Sequence, residues 1–260
     1  MRNNWVVKDL RERIFGNMTF DEIHIWNTNL VALDPSAVLS SKDRLESLTI
    51  SHSLLEEFPF RVLPRMTRLR TLHLSHGFLK SVPALESPSL KNLLLWNNEI
   101  HALEPRWSMP VLERLDISHN PISDLPPGMV EGMRNLMSFD ASHCNLGPVL
   151  RNGSLAFQSK SLAKIFLQEN DIVKLEPGAI TGLRNDTRLD LRGNKIRNLT
   201  EGSFRPMLEH LSSGTSGFIF LWGNPVICDE WLVRSPDFKK FLQRLEGVEC
   251  VSKSSKSPAK

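Results

Sequence analysis

Apolar residues recur along most of this chain at fixed positions within segments of about 24 residues. The stretch Leu112–Ile122 shows the pattern most clearly, as L-x-x-L-x-L-x-x-N-x-I, with apolar side chains at the first, fourth, sixth and eleventh positions. Nine such segments give 36 apolar positions, and only Asp186 and Ser216 break the rule. One segment cannot bury its apolar edge alone, so the pattern predicts a stack of repeats that share one core.

The middle of every repeat carries two apolar residues separated by one residue, as in Leu115 and Ile117. This alternation predicts a short strand with one face inward. Nine parallel strands, one per repeat, would make a concave sheet roughly 40 Å long at a spacing of ~4.8 Å. The second half of each repeat contains Pro and Gly and predicts turns, 3₁₀ pieces and short helices. The fold class is therefore an α/β leucine-rich repeat solenoid, a right-handed horseshoe of about nine repeats.

The ninth position of the repeat is expected to hold a ladder of side-chain amides that pair with backbone groups of the turns. It is asparagine in five repeats, but the first three repeats depart from this consensus, and the ladder is expected to be weaker there. Cys144 is interpreted as a small buried substitute rather than a reactive thiol. In chain order the position holds Thr28, Ser53, Gly77, Asn98, Asn120, Cys144, Asn170, Asn194 and Asn224.

The repeats predict four regions along the chain. Residues 1–19 form an N-terminal flank and partial cap, residues 20–224 hold the repeats, residues 225–250 form a C-terminal cap, and 251–260 form a polar, disordered tail. Trp5, Val6, Val7, Leu10, Ile14 and Phe15 are expected to shield the first repeat. Cys228 and Cys250 flank the amphipathic segment of the C-terminal cap, and we expect a disulfide between them.

Composition and motifs exclude several classes of function. Net charge is +3, with Lys and Arg spread along the chain, so no nucleic-acid partner is expected. No apolar run approaches the ~20 residues of a membrane helix. The sequence begins without a secretory signal, since its apolar run there is only Trp5–Val7. It lacks a phosphate loop, H-E-x-x-H and paired C-x-x-C, and an open sheet offers no dry pocket, so neither an enzyme nor a cofactor or metal is expected.

The segment NPVICDEWL…FKKFLQRL…C resembles the C-terminal cap of extracellular leucine-rich repeat proteins of animals. That cap usually reads N-P-x-x-C-x-C, with four cysteines paired first to third and second to fourth. Cys228 matches the first and Cys250 the third, whereas Glu230 replaces the second and no fourth exists. The resemblance therefore implies one remaining Cys228–Cys250 disulfide and a cap that is less tightly stapled than usual.

TFDEIHIWNTNL, ISHSLLEEFPF, VPALESPSL and FIFLWGNPVIC are similar to segments of arthropod secreted proteins related to the non-catalytic subunit of oplophorus luciferin 2-monooxygenase. Those proteins usually begin with a signal peptide and a cysteine-rich cap, which this sequence does not show, so the chain is interpreted as a fragment or a divergent member. The resemblance implies a secreted or extracellular protein. Four N-x-S/T sequons agree with export and are expected to carry glycans: Asn17, Asn152, Asn185 and Asn198.

The third, fifth and seventh positions of each repeat should face the concave surface, where we expect a protein or peptide partner to bind. Trp and Arg, which dominate binding hot spots, occur there repeatedly. An alternative is that the aromatic residues at the C-terminal end only pack under the cap. The expected ligand-binding residues are Trp26, His73, Trp96, Arg114, Asp116, Asp140, Phe166, Arg188, Arg192, Phe220 and Trp222.

Four histidines occupy the eighth position, each after a serine: His52, His76, His119 and His143. Neighbouring turns would bring them together in pairs, which suits a metal or a pH-sensitive contact as well as a plain polar turn. Ser-His-Asn is a common way to write this turn, and that favours the plain turn.

These observations favour a non-enzymatic protein-binding module, secreted or at the cell surface. Two alternatives stay open: an accessory non-catalytic subunit that stabilises a partner enzyme, and an intracellular leucine-rich repeat scaffold. The sequence leaves the partner and the oligomeric state undefined.

Overall fold

The computed structural model describes residues 1–12 and 14–250; the expected polar tail, 251–260, lies outside the described residues. Within that part of the chain, ten parallel strands form one sheet whose spatial order follows the chain. The strands are β1 Glu22–Thr28, β2 Ser47–Ser53, β3 Thr71–Ser75, β4 Asn92–Leu94, β5 Arg114–Asp116, β6 Ser138–Asp140, β7 Lys164–Phe166, β8 Arg188–Asp190, β9 Phe218–Phe220 and β10 Leu245–Glu246.

The nine predicted strands are all present, and the predicted solenoid is confirmed. Equivalent motif positions stand opposite each other, so that Leu115 of β5 pairs with Leu93 of β4 and Phe139 of β6. Because the register is constant, side chains that share a motif position form continuous rows along the sheet. The sequence did not predict β10, which comes from the cap and places Leu245 beside Ile219 of β9.

The convex side is irregular, as predicted. It holds α1 Ser36–Leu39, a 3₁₀ helix at Phe60–Arg65 and α2 Glu201–Leu211, which buries Phe204 and Leu208. Short two-residue strands pair between neighbouring repeats on this side and at the N-terminus: Asp9–Leu10 with Ala32–Leu33, Ser81–Val82 with Ala102–Leu103, Val149–Leu150 with Lys174–Leu175, and Leu155–Ala156 with Ile180–Thr181.

The ninth-position asparagines bridge successive repeats. Asn120 Nδ2 donates to the carbonyl of Leu95 in the preceding repeat and to that of Ile117 in its own, each at 3.0 Å. In the first repeats, where the asparagine is absent, β1 and β2 are seven residues long and run through this position. Thr28 Oγ1 and Ser53 Oγ lie 2.8 Å apart there. Longer strands thus supply by backbone pairing what the amide supplies elsewhere.

Cys144 is a buried free thiol that takes the asparagine position in the sixth repeat. Its Sγ donates to the Ile117 carbonyl at 3.5 Å, which resembles one arm of the missing amide. Burial raises the pKa of this thiol to about 12, so it stays protonated at neutral pH. The sulfur therefore has a structural place in the ladder.

The C-terminal end of the core is covered by α3 Glu230–Arg234, α4 Phe238–Leu242 and β10. Leu232 and Phe241 are buried, and the Trp231 indole N–H donates to the Leu199 carbonyl at 2.6 Å. The expected Cys228–Cys250 disulfide is present. It joins the segment just before α3 to the chain beyond β10.

The N-terminal flank covers its end of the core less completely than expected. Leu10 is buried, but Trp5 and Val6 are 55% and 88% exposed, and Ile14 is exposed as well. The flank runs along the edge of β1, where Arg2 forms a bridge to Trp26, and only a few of its side chains turn inward. It therefore contributes less apolar burial than its composition implied.

Candidate functional site

The concave face is built from the third, fifth and seventh positions of each repeat, which lie in three parallel rows because the register is constant. The expected binding residues fall into three groups along these rows rather than one site. The end groups lie on β1–β4 and β7–β9, and eight strand spacings of ~4.8 Å separate β1 from β9. One compact ligand cannot touch both ends, whereas an extended protein surface can.

The first group is a row of adjoining rings, some stacked and some edge to face, here called the N-terminal aromatic row: Trp26, His52, His76, Trp96 and His73. Ring centroids are 5.5 Å apart for Trp26 and His52, 3.9 Å for His52 and His76, and 4.3 Å for His76 and Trp96. His73 faces Trp96 at 6.3 Å. The row crosses four strands and leaves Trp26 42% exposed.

Hydrogen bonds fix the rings of this row in place. The Trp26 indole N–H donates to His52 Nδ1 at 3.2 Å, and His73 Nε2 lies 2.7 Å from Ser75 Oγ. Desolvation by burial is the main cause that lowers the pKa of both His73 and His76 below the usual 6.5. At neutral pH these imidazoles are therefore uncharged, and the row offers an aromatic rather than a cationic surface.

The histidines follow from the backbone conformation of the eighth position. Every residue at this position has a positive φ, between 51° and 76°, a region that Gly, Asn and His tolerate better than most residues. The residues are Asn27, His52, His76, Asn97, His119, His143, Glu169, Gly193 and Gly223. His119 and His143 also stack, with centroids 4.3 Å apart. Within residues 1–12 and 14–250 no three acidic, His or Cys side chains gather as a metal site would need.

The middle group is acidic and largely tied to its own neighbours. Asp116 is buried, accepts from Ser118 Oγ at 2.7 Å and lies 3.3 Å from an Arg114 guanidinium nitrogen. Asp140, on the next strand, accepts from Ser142 Oγ at 2.7 Å. Desolvation by burial raises the pKa of Asp140, and the Asp116 charge adds to the effect. Asp116 therefore affects the charge of its neighbours but has little surface with which to contact a partner.

The third group forms a concave depression, here called the C-terminal cavity, of about 300 Å³. Five of the expected residues come together in it: Phe166, Arg188, Arg192, Phe220 and Trp222. Lys164 and Asp190 complete the lining and were not among the expected residues. Lys164 occupies the third position of its repeat and Asp190 the fifth position of the next, so the rule for concave positions could have predicted both. This cavity brings aromatic and charged side chains of the last three repeats together.

Trp222 and Phe220 stack at one wall of this cavity, with centroids 5.7 Å apart. The cap contacts the aromatic trio at both ends: Arg244 lies 5.6 Å from the ring of Phe218, and Gly247 lies against Trp222. Trp222 nevertheless remains 46% exposed. Packing under the cap therefore accounts for part of the trio, and Phe220 and Trp222 still line the cavity.

A larger cleft of about 630 Å³ lies off the concave face, beside Glu56, Phe60 and Lys80 on the turns of the second and third repeats. Its walls are the chain's own connecting turns, and none of the expected binding residues lines it. Among the described helices, none has the length and apolar character that a bilayer crossing requires.

Comparisons with known proteins agree with this geometry. Residues 88–146 and 160–212 match the leucine rich repeat family. The chain is 27% identical over 243 residues to the oplophorus-luciferin 2-monooxygenase non-catalytic subunit of Oplophorus gracilirostris, across 89% of this chain and 64% of that protein. It thus spans less than two thirds of this relative's length.

Two solved structures share the fold. A chain of the LRIM1/APL1C complex aligns with 81% of this chain at a TM-score of 0.57 and 18% identity, over 40% of its own length. A chain of the mouse RP105/MD-1 complex aligns with 86% at a TM-score of 0.55 and 17% identity, over 42% of its length. The repeat motif, the parallel sheet and the structural neighbours together show that the chain has the fold of a leucine-rich repeat solenoid.

Proposed function

We propose that this chain is a non-enzymatic binding module that holds a protein partner against its concave face. The observation that carries the proposal is the pair of half-exposed aromatic groups at the two ends of that face, the N-terminal aromatic row and the C-terminal cavity. Exposed Trp and Arg side chains are the groups that contribute most at protein interfaces. Both solved neighbours belong to complexes of two proteins, which supports a protein partner.

A second role, accessory to a catalytic chain, has a specific observation in its favour. The similarity to a protein named as a non-catalytic subunit extends over 243 residues and 89% of this chain. An accessory chain would use the same face to stabilise its partner enzyme. The two roles differ in the partner, which either has or lacks an enzymatic activity of its own.

We further propose that the module works outside the cell rather than as an intracellular scaffold. The Cys228–Cys250 disulfide supports an oxidising compartment. The sequon residues Asn17, Asn152, Asn185 and Asn198 are all exposed, and none lies on a concave strand. Glycans at these positions would leave the concave face open.

Partner capture from native tissue extract tests the binding role. The protein is compared with a concave variant, Trp26→Ala with Trp222→Ala, and a convex control, Val149→Ala with Val173→Ala, whose two valines are also exposed. We expect one protein, identified by mass spectrometry, to be retained by the parent and the control and lost by the concave variant. A partner lost only by the convex variant would overturn the concave assignment. An enzymatic activity in the captured partner would favour the accessory role.

Export is tested separately on native protein. We expect a mass shift on treatment with a glycosidase, and one free thiol, Cys144, after denaturation. Three free thiols together with unmodified sequons would contradict the extracellular proposal and favour the intracellular scaffold.

A further inference from the structure

We propose that the C-terminal cavity is a docking site for an acidic segment of the partner, with a carboxylate at Lys164 and Arg188 and an adjacent aromatic side chain between Phe166 and Phe220. This inference rests on the binding role proposed above and gives the partner a definite chemistry. Three features of the cavity carry it: two unneutralised cations, an internally paired floor and two aromatic walls.

The two cations stand side by side without an acidic partner. Lys164 and Arg188 are directly opposite in the register of β7 and β8, and both side chains are exposed. Neither forms an ion pair or side-chain hydrogen bond with any residue in 1–12 or 14–250. Like charges directly opposite on neighbouring strands repel. A carboxylate bound between them would remove this repulsion and gain charge-assisted hydrogen bonds.

The floor of the cavity is an internal ion pair between Arg192 and Asp190. Arg192 Nε lies 2.9 Å from both carboxylate oxygens of Asp190, and Nη2 lies 2.6 Å from Oδ2. This pair raises the pKa of Arg192, so the guanidinium stays charged and paired. With one acid matched to one of three cations, the lining keeps a positive excess at the edge formed by Lys164 and Arg188.

The walls of the cavity are aromatic and stand apart. Phe166 and Phe220 occupy the same row as Asp190, one on each side of it, about 10 Å apart at two strand spacings of ~4.8 Å. Trp222 extends the second wall. An aromatic side chain of the partner placed over Asp190 would lie between these two phenylalanines. The charged edge and the apolar slot adjoin, so a ligand must carry both properties within neighbouring residues.

Other occupants fit this chemistry less well. The chain's own C-terminal segment carries Lys253, Lys256 and Lys260 and no acidic residue, so charge opposes its docking. An acidic polysaccharide would satisfy the cations but leave the apolar slot unused. Glu246, one strand beyond Phe220, makes that side of the cavity less positive, so the Lys164 edge is the more favourable place for a carboxylate. An acidic peptide segment with one aromatic residue meets all of these conditions.

A synthetic peptide, acetyl-Gly-Glu-Phe-Asp-Gly-amide, is the direct probe. Titrated into the isotope-labelled chain at low salt, it is expected to shift the amide signals of β7, β8 and β9 and leave those of β1 and β2 in place. A matched peptide with Lys in place of both acids should shift none of them. A third peptide that keeps the acids but has Ala in place of Phe should bind about tenfold more weakly.

Variants then assign the interaction to named side chains. Lys164→Ala with Arg188→Ala should weaken binding of the acidic peptide about tenfold or more and flatten its dependence on salt. Lys174→Ala with Arg197→Ala removes two exposed cations from outside the concave strands and should leave binding unchanged. Phe166→Ala should weaken binding without changing the salt dependence.

Equal binding of the acidic and basic peptides, or equal loss in the cavity and control variants, would overturn the proposal. Binding of dextran sulfate that survives Phe166→Ala and competes with the peptide would assign the cavity to an acidic polysaccharide instead. If the captured partner depends on Trp26 but not on Lys164 and Arg188, this inference fails while the concave binding role stands.

Discussion

The asparagine at the ninth position joins two successive turns of the solenoid through one side chain. In the seventh repeat, Asn170 Nδ2 donates to the carbonyls of Ala141 and Leu167 at 2.8 and 3.0 Å. Its Oδ1 accepts from the amides of Cys144 and Leu146. All these backbone groups are out of reach of water. A single amide therefore satisfies groups that no strand pairing reaches.

Asn170→Ala is expected to lower the free energy of unfolding by about 3 kcal/mol, because several buried backbone groups would lose their partner. Asn145→Ala is the matched control, since the Asn145 side chain is exposed and should change stability by less than about 0.5 kcal/mol. Urea denaturation of both variants gives the comparison. Equal stabilities would show that the ladder adds little to the stack.

Asp140 makes stability depend on pH. Burial raises its pKa above the ordinary 3.8, so the folded chain holds this proton more tightly than the unfolded chain does. Its contribution is then complete below pH 3.8 and is lost as pH rises through the folded pKa. Asp140→Asn, which keeps an acceptor for Ser142, should therefore stabilise the protein at pH 7.

The gain from Asp140→Asn should disappear when denaturation is repeated below pH 3.8, where the native carboxyl is already protonated. An NMR titration of the parent should place the Asp140 midpoint above 3.8. Two results would contradict the assignment of desolvation as the dominant cause. One is a midpoint below that value, and the other is a gain in stability over the parent that is no larger at pH 7 than at pH 3.

At the scale of elements, the concave strands and the convex segments differ in how far the sequence determines them. The nine repeat strands could be predicted because two inward residues such as Leu93 and Leu95 alternate with outward ones in every repeat. β10 could not, because Leu245 and Glu246 end an amphipathic stretch that reads equally well as helix. It becomes a strand only because the edge of β9 offers unpaired backbone groups beside it.

The disulfide of the C-terminal cap is expected to stabilise the folded chain. The Cys228–Cys250 disulfide closes a loop with a sequence separation of 22, for which the loss of unfolded-chain entropy corresponds to about 3 kcal/mol. Cys228→Ala with Cys250→Ala should therefore lower the free energy of unfolding by about that amount. Reduction of the parent should give the same loss, and reduction of the variant none. A variant as stable as the parent would mean that α3 and α4 hold the cap alone.

The whole molecule is a one-dimensional array in which each repeat contacts only its neighbours, so its ends decide where opening begins. The two ends are covered unequally. The C-terminal end has β10, two helices and a disulfide, whereas the N-terminal flank leaves Trp5 and Val6 exposed. We expect opening to start at the first repeat, despite the long pairing of β1 with β2.

Hydrogen exchange tests this polarity. The amides of Ile23 and Ile25 should exchange faster than those of Ile165 and Leu167 at the interior of the array. Reduction of the disulfide should accelerate exchange around Ile219 and leave the first repeat unchanged. Uniform exchange along the sheet would show that the array opens as one unit.

The candidate site could be predicted from the sequence only in part. Constant register placed each expected residue in its correct row, because the repeat length hardly affects how strands pair. Which residues meet depends on side-chain conformation. Arg192 folds onto Asp190, whereas Lys164 and Arg188 form no ion pair with the described residues; spacing alone could not distinguish these outcomes.

The positive φ values at the eighth position have a consequence for how such a protein can diversify. Residues at the third, fifth and seventh positions lie on ordinary extended backbone, where almost any side chain is admitted without conformational penalty. At the eighth position a β-branched residue would add strain of roughly 1–2 kcal/mol at every repeat. Mutational drift, or a designed library, should therefore change residues at the third, fifth and seventh positions freely. At the eighth position it should keep a small set of residue types.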